Sequence, residues 1–384
     1  MMELTYENFI KLLAENLTIE KIRKNDSNLR EGIQKIKNGN KVYIWPSASM
    51  GERVYKELKA NGYENLFLVD KNNELSKVIS PDEFVFDRED VLIIATLRHS
   101  KDIYNLAKQK KCKNILMYYN IKELGSMFPI IFPEDFYDKC FEELTIHLLK
   151  NIEEYKYMYF SLQDDASRKT FLNNMFFRLT YDVRYTFEKD EGIQYFDNSI
   201  IDFDFDGSVI DGGGYNGDTL EQFLELNRDF KDYHLFEPDG DLLKEAKKVS
   251  NDNRIYYINK GLYSTKKTLS FNKTMGDNGC IVESGNNKIN VVSIDEYFKE
   301  KVSFIKMDIE GCELEALKGA QNIIKQYSPT LAICIYHKAV DYLEIFNYIR
   351  TLNKDYKFFL RHYSNYYTET VLYAVSKTRE MLEN

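Results

Sequence analysis

The sequence predicts an α/β protein with two units, each built on a mostly parallel sheet, and a helical segment between them. Short apolar strands alternate with helical stretches over residues 39–120 and again from Ser208, which is the pattern of parallel β-α-β units. Residues 121–200 show no strand periodicity. In the second alternation only a short turn separates the last two strands, so we expect the final strand to return antiparallel.

The predicted domains follow these changes of pattern. Residues 1–120 are an N-terminal helix and a small Rossmann-like α/β domain, 121–200 are a helical connector rich in Phe, Tyr and Leu, and 201–384 are a larger α/β domain. A chain of 384 residues with 43% apolar content is long enough for two or three domains with real cores.

Composition argues against several classes of partner, although a local basic patch stays open. The net charge of −9 provides no global field for nucleic acid or an anionic membrane. Residues 1–17 read as an amphipathic helix without the basic start of a signal peptide, and the run VLIIATL is far short of the roughly 20 residues that span a bilayer. The five cysteines are odd in number and lack CxxC spacing, as expected of reduced thiols. We therefore expect a cytoplasmic protein without a transmembrane segment.

The first turn of the N-terminal domain departs from a nucleotide-binding fingerprint. Strands are predicted at 41–45, 65–70, 90–96 and 114–119. In the turn WPSASMG, Pro46 and Ala48 stand where the first two glycines would be, and only Gly51 remains. Asp70 ends the second strand, where a ribose-binding acid would lie. Because proline and a Cβ obstruct the approach of a pyrophosphate, we favour a structural or substrate-presenting role.

The C-terminal domain is predicted to contain seven strands. They are SVIDGG, YHLFEP, RIYYINKGL, VSFIKMD, TLAICIYH, YKFFLRHY and TETVLYAVS. A hairpin-like insertion, TLSFNK to INVVSID, precedes the fourth strand. This order, with the last strand antiparallel, is typical of a class I methyltransferase.

The turn after the first of these strands carries the spacing Gly212-x-Gly214-x-x-Gly217 of a dinucleotide-binding turn. Asp211 immediately precedes it, and a carboxylate at that mouth would repel a pyrophosphate. S-adenosylmethionine presents a sulfonium and an ammonium instead. Asp211 therefore favours the methyl donor over NAD, although an Asp that caps the next helix is the structural alternative. Asp218 is better placed for that cap.

The next two strand ends complete the predicted nucleoside site. Glu237 follows Gly212 by 25 residues, where an acid accepts hydrogen bonds from ribose hydroxyls, in NAD as in S-adenosylmethionine. Pro238 ends the strand and allows a helix to begin. Gly261 and Leu262 are expected near the adenine edge, although glycine also ends strands for local reasons.

The fourth and fifth strand ends carry the candidate catalytic residues. Alternation places Lys306 and Asp308 on one face, with Glu310 in the exit turn. These acids could orient the donor's amino group, position a hydroxyl or bind Mg²⁺ or Ca²⁺, and a buried ion pair with Lys306 is the structural alternative. His337 ends the fifth strand at the same edge, where it could act as a general base. No metal is assigned.

Several linked motifs resemble the FkbM family of S-adenosylmethionine-dependent methyltransferases over about residues 195–376. They are VIDGGGYNGDT, FEPD, VVSIDEYF, FIKMDIEGCELEALKGA and SPTLAICIYHKAVDYLEI. The resemblance implies O-methylation of a hydroxyl, in polyketides for some members and in surface sugars for others. The preceding QYFDNSIIDF resembles members with an N-terminal α/β extension.

The resemblance also implies site residues. The acceptor, a small molecule or glycan with a free hydroxyl, is expected to face Asp308, Glu310 and His337. With neighbouring turn residues included, the predicted donor site comprises Asp211, Gly212, Gly214, Tyr215, Asn216, Gly217, Asp218, Glu237, Pro238, Gly261, Leu262 and Asp308. Tyr215, Tyr336 and Tyr363 are candidates to stack on a sugar ring.

Two alternatives stay open at this point. An NAD-dependent oxidoreductase using the glycine turn predicts affinity for NADH and none for S-adenosylhomocysteine. A scaffold that binds the donor without transferring a methyl group predicts no activity on any acceptor, and the acids at three successive strand ends argue against it.

Overall fold

A computed structural model shows the fold of this chain. It describes residues 5–14, 27–71, 78–83, 85–96, 99–118, 143–144, 146–180, 183–201, 205–273, 279–282, 287–365 and 368–376. Much of the predicted connector, residues 121–142, lies outside this range. The described residues form two compact units, one within 1–150, 172–189 and 364–367, the other within 151–171, 190–363 and 368–384. The predicted boundaries at 120 and 200 stay a prediction.

The first unit contains a small parallel sheet. Its helices are α1 (Tyr6–Ala14), α2 (Ser27–Lys37), α3 (Ser49–Ala60) and α4 (Ser100–Gln109). Its strands are β1 (Val42–Trp45), β2 (Leu66–Val69), β3 (Val78–Ile79), β4 (Val91–Ile94) and β5 (Asn114–Met117), in the order β3-β2-β1-β4-β5, all parallel. The predicted N-terminal α/β fold is confirmed.

The turn after β1 is closed by its own residues. The backbone N–H and hydroxyl of Ser47 both donate to the Asp70 carboxylate at 3.1 Å. A Cβ at Gly51 would lie 1.8 Å from the carbonyl oxygen of Pro46, so the turn packs tightly on its helix. Asp70 thus bonds a residue of the turn itself, which agrees with a structural role for this segment.

The second unit contains the large sheet. Its helices are α5 (Ile152–Ser161), the first part of α6 (Asp165–Thr180), α7 (Asp218–Glu225), α8 (Gly240–Ala246), α9 (Ile294–Tyr297), α10 (Glu313–Lys318), α11 (Gln321–Tyr327) and α12 (Asp341–Leu352). Its sheet strands are β6 (Phe205–Gly212), β7 (Phe230–Phe236), β8 (Ile255–Ile258), β13 (Val302–Met307), β14 (Thr330–Cys334), β15 (Tyr356–His362) and β16 (Thr370–Ser376).

The strand order β15-β16-β14-β13-β6-β7-β8 confirms the predicted class I topology. β16 pairs antiparallel with β14 and β15, while the pairs from β14 to β8 are parallel. The chain passes from β6 outward to β7 and β8, and then returns to β13 on the other side of β6. This reversal is a topological switch point, where the carboxyl ends of parallel strands leave a crevice for a ligand.

A four-stranded sheet interrupts the large one. It consists of β9 (Gly261–Leu262), β10 (Lys267–Lys273), β11 (Gly279–Val282) and β12 (Asn287–Val292), in the order β11-β10-β12-β9. Antiparallel pairing of β10 with β12 confirms the predicted insertion. The predicted strand 254–262 is divided, however, because the chain bends after Ile258 and β9 pairs with β12 instead. Among the described residues, every helix is too short or too polar to cross a membrane.

The glycine turn depends on Gly213, which the three-glycine spacing omits. Its φ is +76°, and a Cβ there would lie 1.8 Å from the Asp308 carbonyl oxygen. We expect Gly213→Ala to destabilise the protein by about 1–3 kcal/mol from backbone conformation alone, measured by thermal unfolding followed by circular dichroism.

Gly240→Ala is the matched control for this substitution. Gly240 lies in the first turn of α8, and the nearest atom to its added Cβ is 3.9 Å away. Its effect should stay within about 1 kcal/mol, with a stabilising sign, because alanine favours helix. Equal unfolding temperatures for the two variants would contradict the proposed constraint at Gly213.

Candidate functional site

A buried ion pair joins the two central strands below the crevice. Lys306 in β13 and Asp211 in β6 are register partners, and their Nζ and Oδ1 atoms are 2.9 Å apart. The other Asp211 oxygen accepts from the Tyr233 hydroxyl at 2.8 Å. Burial opposes the charge on Lys306, but Asp211 and Asp308 outweigh it and raise the pKa of the ammonium. Asp211 is 1% exposed, so its negative charge is compensated inside the sheet.

This pairing changes the electrostatic argument drawn from Asp211. The structural alternative, a buried ion pair with Lys306, is present. Both carboxylate oxygens of Asp211 already have hydrogen-bond partners in the core. The first role of Asp211 is therefore to fix the geometry of the turn. Direct contact of Asp211 with a donor stays a prediction.

Lys306 also holds the glycine turn. Its Nζ donates to the Gly213 carbonyl oxygen at 2.7 Å, and the N–H groups of Gly213 and Gly214 donate to the Phe236 carbonyl at the end of β7. A Cβ at Gly214 would meet the Leu235 side chain at 2.2 Å. The turn therefore packs closely on the end of β7 and is bonded to β13 through Lys306.

Glu237 links the glycine turn to the next strand end. Its Oε2 accepts from the Tyr215 N–H at 3.0 Å and its Oε1 from the Asp239 N–H at 2.8 Å. Asn259 donates to the carbonyl oxygens of Glu237 and Pro238. Burial raises the pKa of Glu237 to about 7, although the two backbone N–H groups work against this shift. The predicted residues Tyr215, Glu237 and Pro238 thus lie together.

The remaining predicted donor residues surround the same turn. Leu262 in β9 lies beside Gly212, because a Cβ on Gly212 would be 2.7 Å from its Cδ1. Asn216 and Asp218 are exposed. The residue that caps α7 is Gly217, with φ +93°, and Asp218 is the first helical residue. The prediction that Asp218 caps the helix was off by one residue, because left-handed Gly217 already accepts the Glu221 N–H that closes the first turn.

Asp308 forms the centre of a second group at the end of β13. It accepts hydrogen bonds from the Tyr195 hydroxyl at 2.8 Å and the Tyr336 hydroxyl at 3.0 Å. Burial raises the pKa of Asp308, but His337 and Lys306 reverse the shift and leave it below its ordinary value. The Asp308 N–H donates to the Gly212 carbonyl at 3.0 Å, so the second group adjoins the glycine turn.

His337 lies between three carboxylates. Its Nε2 is 3.4 Å from Asp308 Oδ1 and 3.4 Å from Glu310 Oε2, while its Nδ1 is 3.1 Å from Glu313 Oε1. Burial opposes protonation, but the carboxylates raise the pKa of His337 to about 10. Burial raises the pKa of Glu310 to about 7. His337 therefore lies within 3.4 Å of both other predicted catalytic residues, Asp308 and Glu310.

Sequence reasoning missed Glu313. It is fully buried at the start of α10, and its Oε1 accepts from the Ile309 N–H at 2.8 Å and the Gly311 N–H at 3.4 Å. The turn that it closes contains two left-handed residues, Glu310 with φ +56° and Gly311 with φ +87°. The signal was present, because an acid three residues after Glu310 at a helix start can bond the backbone of that turn.

Sequence reasoning also missed Tyr195, which lies in the segment interpreted as a connector. Besides its bond to Asp308, its ring centroid is 5.1 Å from Lys306 Nζ. Of the tyrosines proposed to stack on a sugar, Tyr336 bonds Asp308. Tyr363 bonds Asp197 and Tyr373, so its hydroxyl belongs to a polar network of the core.

Comparison with known proteins finds a methyltransferase family model that matches the segment carrying this site. Residues 211–358 match the model of the methyltransferase FkbM domain, which confirms the resemblance seen in the motifs. The matched segment contains both strand exits of the site.

Solved structures extend the similarity in fold. The crystal structure of methyltransferase FkbM from Methylobacillus flagellatus KT is similar over 97% of this chain and 99% of that chain, with 23% identity and a TM-score of 0.72. The plantazolicin methyltransferase BamL, in complex with a triazolic desmethylPZN analog and SAH, shows 11% identity and a TM-score of 0.25 over 59% of this chain and 79% of that one. No curated protein matches this chain.

The Asp211–Lys306 ion pair should contribute strongly to the free energy of unfolding. We expect Asp211→Asn to destabilise the protein by about 3–5 kcal/mol, because it leaves a buried ammonium without its carboxylate. Lys306→Met should have a similar effect. The double variant should cost clearly less than the two single changes added together, since neither charge is then left alone.

Thermal and urea unfolding of the four proteins measure this cycle. Additive losses would show that the two charges do not interact. Because Asp211→Asn is expected to unfold the turn, Asp211 cannot serve as a clean probe of ligand binding, and Glu237 is the better position for that purpose.

Proposed function

We propose that this protein is an S-adenosylmethionine-dependent O-methyltransferase. The observation that carries the proposal is the adjacency of two strand exits at the switch point: the glycine turn bonded to Glu237, and the Asp308–Glu310–His337 group bonded to that turn through the Asp308 N–H. The first exit suits a nucleoside, and the second suits the atoms that react.

The donor site is proposed at the glycine turn. The Glu237 carboxylate would accept hydrogen bonds from the ribose hydroxyls, and Leu262 with Gly261 would lie against the adenine. The residues from Gly212 to Asp218 would enclose the amino acid part of the donor.

The charge at the second exit supports a sulfonium donor over NAD. Asp308, Glu310 and Glu313 all face His337, and the carboxylate of Glu369 interacts electrostatically with Asp308. Such an excess of acid attracts a cation and repels a pyrophosphate. Asp211 contributes little to this field, because its charge is paired with Lys306.

The proposed reaction is an in-line displacement. A lone pair of the acceptor hydroxyl forms the new C–O bond while the electrons of the C–S bond leave with the sulfur, and the hydroxyl proton passes to Asp308. His337, whose pKa is raised to about 10, already carries its proton near neutral pH and would position the hydroxyl. The protein would mainly align the two reactants, since the donor already carries a good leaving group. Asp308 Oδ1 and His337 Nε2 lie 3.4 Å apart, so both can face one hydroxyl.

The acceptor class rests on the family resemblance alone. A nucleotide-activated or lipid-linked sugar used to make a surface polysaccharide is the preferred substrate, and the cytoplasm is the proposed site of the reaction. We propose no nucleic acid partner.

Donor binding should depend on the ionisation of Glu237. Because its pKa is raised to about 7, the carboxylate that accepts the ribose hydroxyls is mostly lost at pH 6 and mostly present at pH 8. Calorimetric affinity for S-adenosylhomocysteine should rise by up to about tenfold over this range.

Glu237→Gln is the matched control, since it keeps the size of the side chain and cannot ionise. Its affinity should be weaker and should not follow the wild-type pH dependence. Parallel curves for the two proteins would remove Glu237 from the donor site. NADH binding without S-adenosylhomocysteine binding would favour the oxidoreductase instead.

Methyl transfer itself is tested with donor labelled on the methyl group. We expect label in nucleotide-activated or lipid-linked sugars, in an ether that resists alkali. Asp308→Asn and His337→Gln should each lower the rate by at least about 100-fold with donor affinity retained. Alkali-labile label would indicate a carboxylate acceptor, and label confined to amines would indicate N-methylation; either would contradict the O-methyl assignment.

A further inference from the structure

We propose that Asp308, Glu310 and His337 bind a divalent first-row metal ion such as Mn²⁺. His337 Nε2 is 3.4 Å from an oxygen of each acid. Two ligands held at about 2.2 Å from one ion, with an angle near a right angle or slightly wider, are separated by about this distance. Among the described residues, the set whose ligand atoms all lie within 4.8 Å of one another is Asp308, Glu313 and His337, so Glu310 would complete the proposed site by a side-chain movement toward Asp308.

Buried polar atoms without hydrogen bonds provide a second and independent observation. Both ring nitrogens of His337, whose side chain is 10% exposed, and Oε2 of the fully buried Glu313 lack a hydrogen-bond partner among the described residues. Their contacts with the surrounding acids are close in distance but not aligned as hydrogen bonds. Unsatisfied buried groups are rare and often mark a missing ion or water. Here all of them belong to His337 or to the acid beside it.

Glu313 supplies the arrangement expected behind a metal-bound histidine. Its Oε1 is 3.1 Å from His337 Nδ1 and is itself held by the Ile309 N–H. When a metal binds one ring nitrogen of a histidine, a carboxylate beside the other nitrogen can take up the proton on that side and orient the ring. The nitrogen away from Glu313 is Nε2, which faces Asp308 and Glu310.

The donor set selects the class of ion. One imidazole with two carboxylates is a set of ligands that suits Mn²⁺, Fe²⁺, Co²⁺ or Zn²⁺. Ca²⁺ and Mg²⁺ prefer sites made only of oxygen atoms. This assignment adds His337 to the two acids that the sequence suggested as ligands and changes the favoured ion.

The role of the ion in catalysis rests on the function proposed above. A metal beside the donor methyl group would hold the acceptor oxygen and make its hydroxyl more acidic. Asp308 and His337 would then act through the ion, and the proton would be released to water. Binding of the ion requires neither donor nor acceptor and is tested without them.

The test is a titration of chelator-treated full-length protein with Mn²⁺, followed by electron paramagnetic resonance. We expect one ion per chain and, in pulsed spectra, modulation from an imidazole nitrogen. His337→Gln should lose that modulation. Both His337→Gln and Asp308→Asn should weaken binding by at least about tenfold.

Glu369→Gln is the matched control. It removes a carboxylate that interacts with Asp308 but keeps a side chain able to bond Gln194, the present partner of Glu369. Its Mn²⁺ affinity should stay within about threefold of wild type. An equal loss in Glu369→Gln and Asp308→Asn would mean that the ion is held only by the general negative field, and would overturn the site.

Two further outcomes would overturn it: absence of Mn²⁺ binding, or nitrogen modulation that survives in His337→Gln. Calorimetry of the same variants with S-adenosylhomocysteine separates this proposal from the function. Retained donor binding shows that a variant is folded. Manganese binding without donor binding in the wild type would contradict the proposed function and leave the metal site standing.

Discussion

The ion pair between Asp211 and Lys306 is the interaction on which the rest of the site depends. It joins the two central strands, β6 and β13, at register partners. A lysine buried among apolar strands is stable only with a partner, and here the partner is the residue before the glycine turn. The Lys306 ammonium also donates to the Gly213 carbonyl oxygen and so fixes the position of the glycine turn. One buried charge thereby sets the geometry of both strand exits.

The two exits differ in electrostatics because the ion pair lies beneath them. Asp211 is neutralised in the core, while Asp308 and Glu310 at the crevice lie beside His337, and Asp308 also accepts from two tyrosines. Uncompensated negative charge therefore lies at the crevice, where the reaction is proposed to occur, and not in the core beneath it. A sulfonium, a metal ion or an imidazolium can each compensate it, so the same constellation suits donor binding and the proposed ion.

The predictions made from the sequence depended on two features: the periodicity of apolar residues and the residues at strand ends. Strand order follows from the alternation of short apolar segments, and Glu237, Asp308 and His337 follow from their positions at carboxyl ends, where parallel strands bring distant residues to one edge. Pairing across strands is not visible in this way, because the register between β6 and β13 is a tertiary property. Hence Asp211 was expected at the mouth, although it lies beneath it. Glu313 and Tyr195 were missed because each acts through a neighbour rather than from a strand end.

A crystal structure with S-adenosylhomocysteine tests the central claim most directly, that the two exits form one donor and acceptor site. The account predicts ribose hydroxyls within hydrogen-bond distance of the Glu237 carboxylate and a sulfur atom that faces Asp308 and His337. A nucleoside bound after β1 of the first unit, or a sulfur turned away from Asp308, would contradict it.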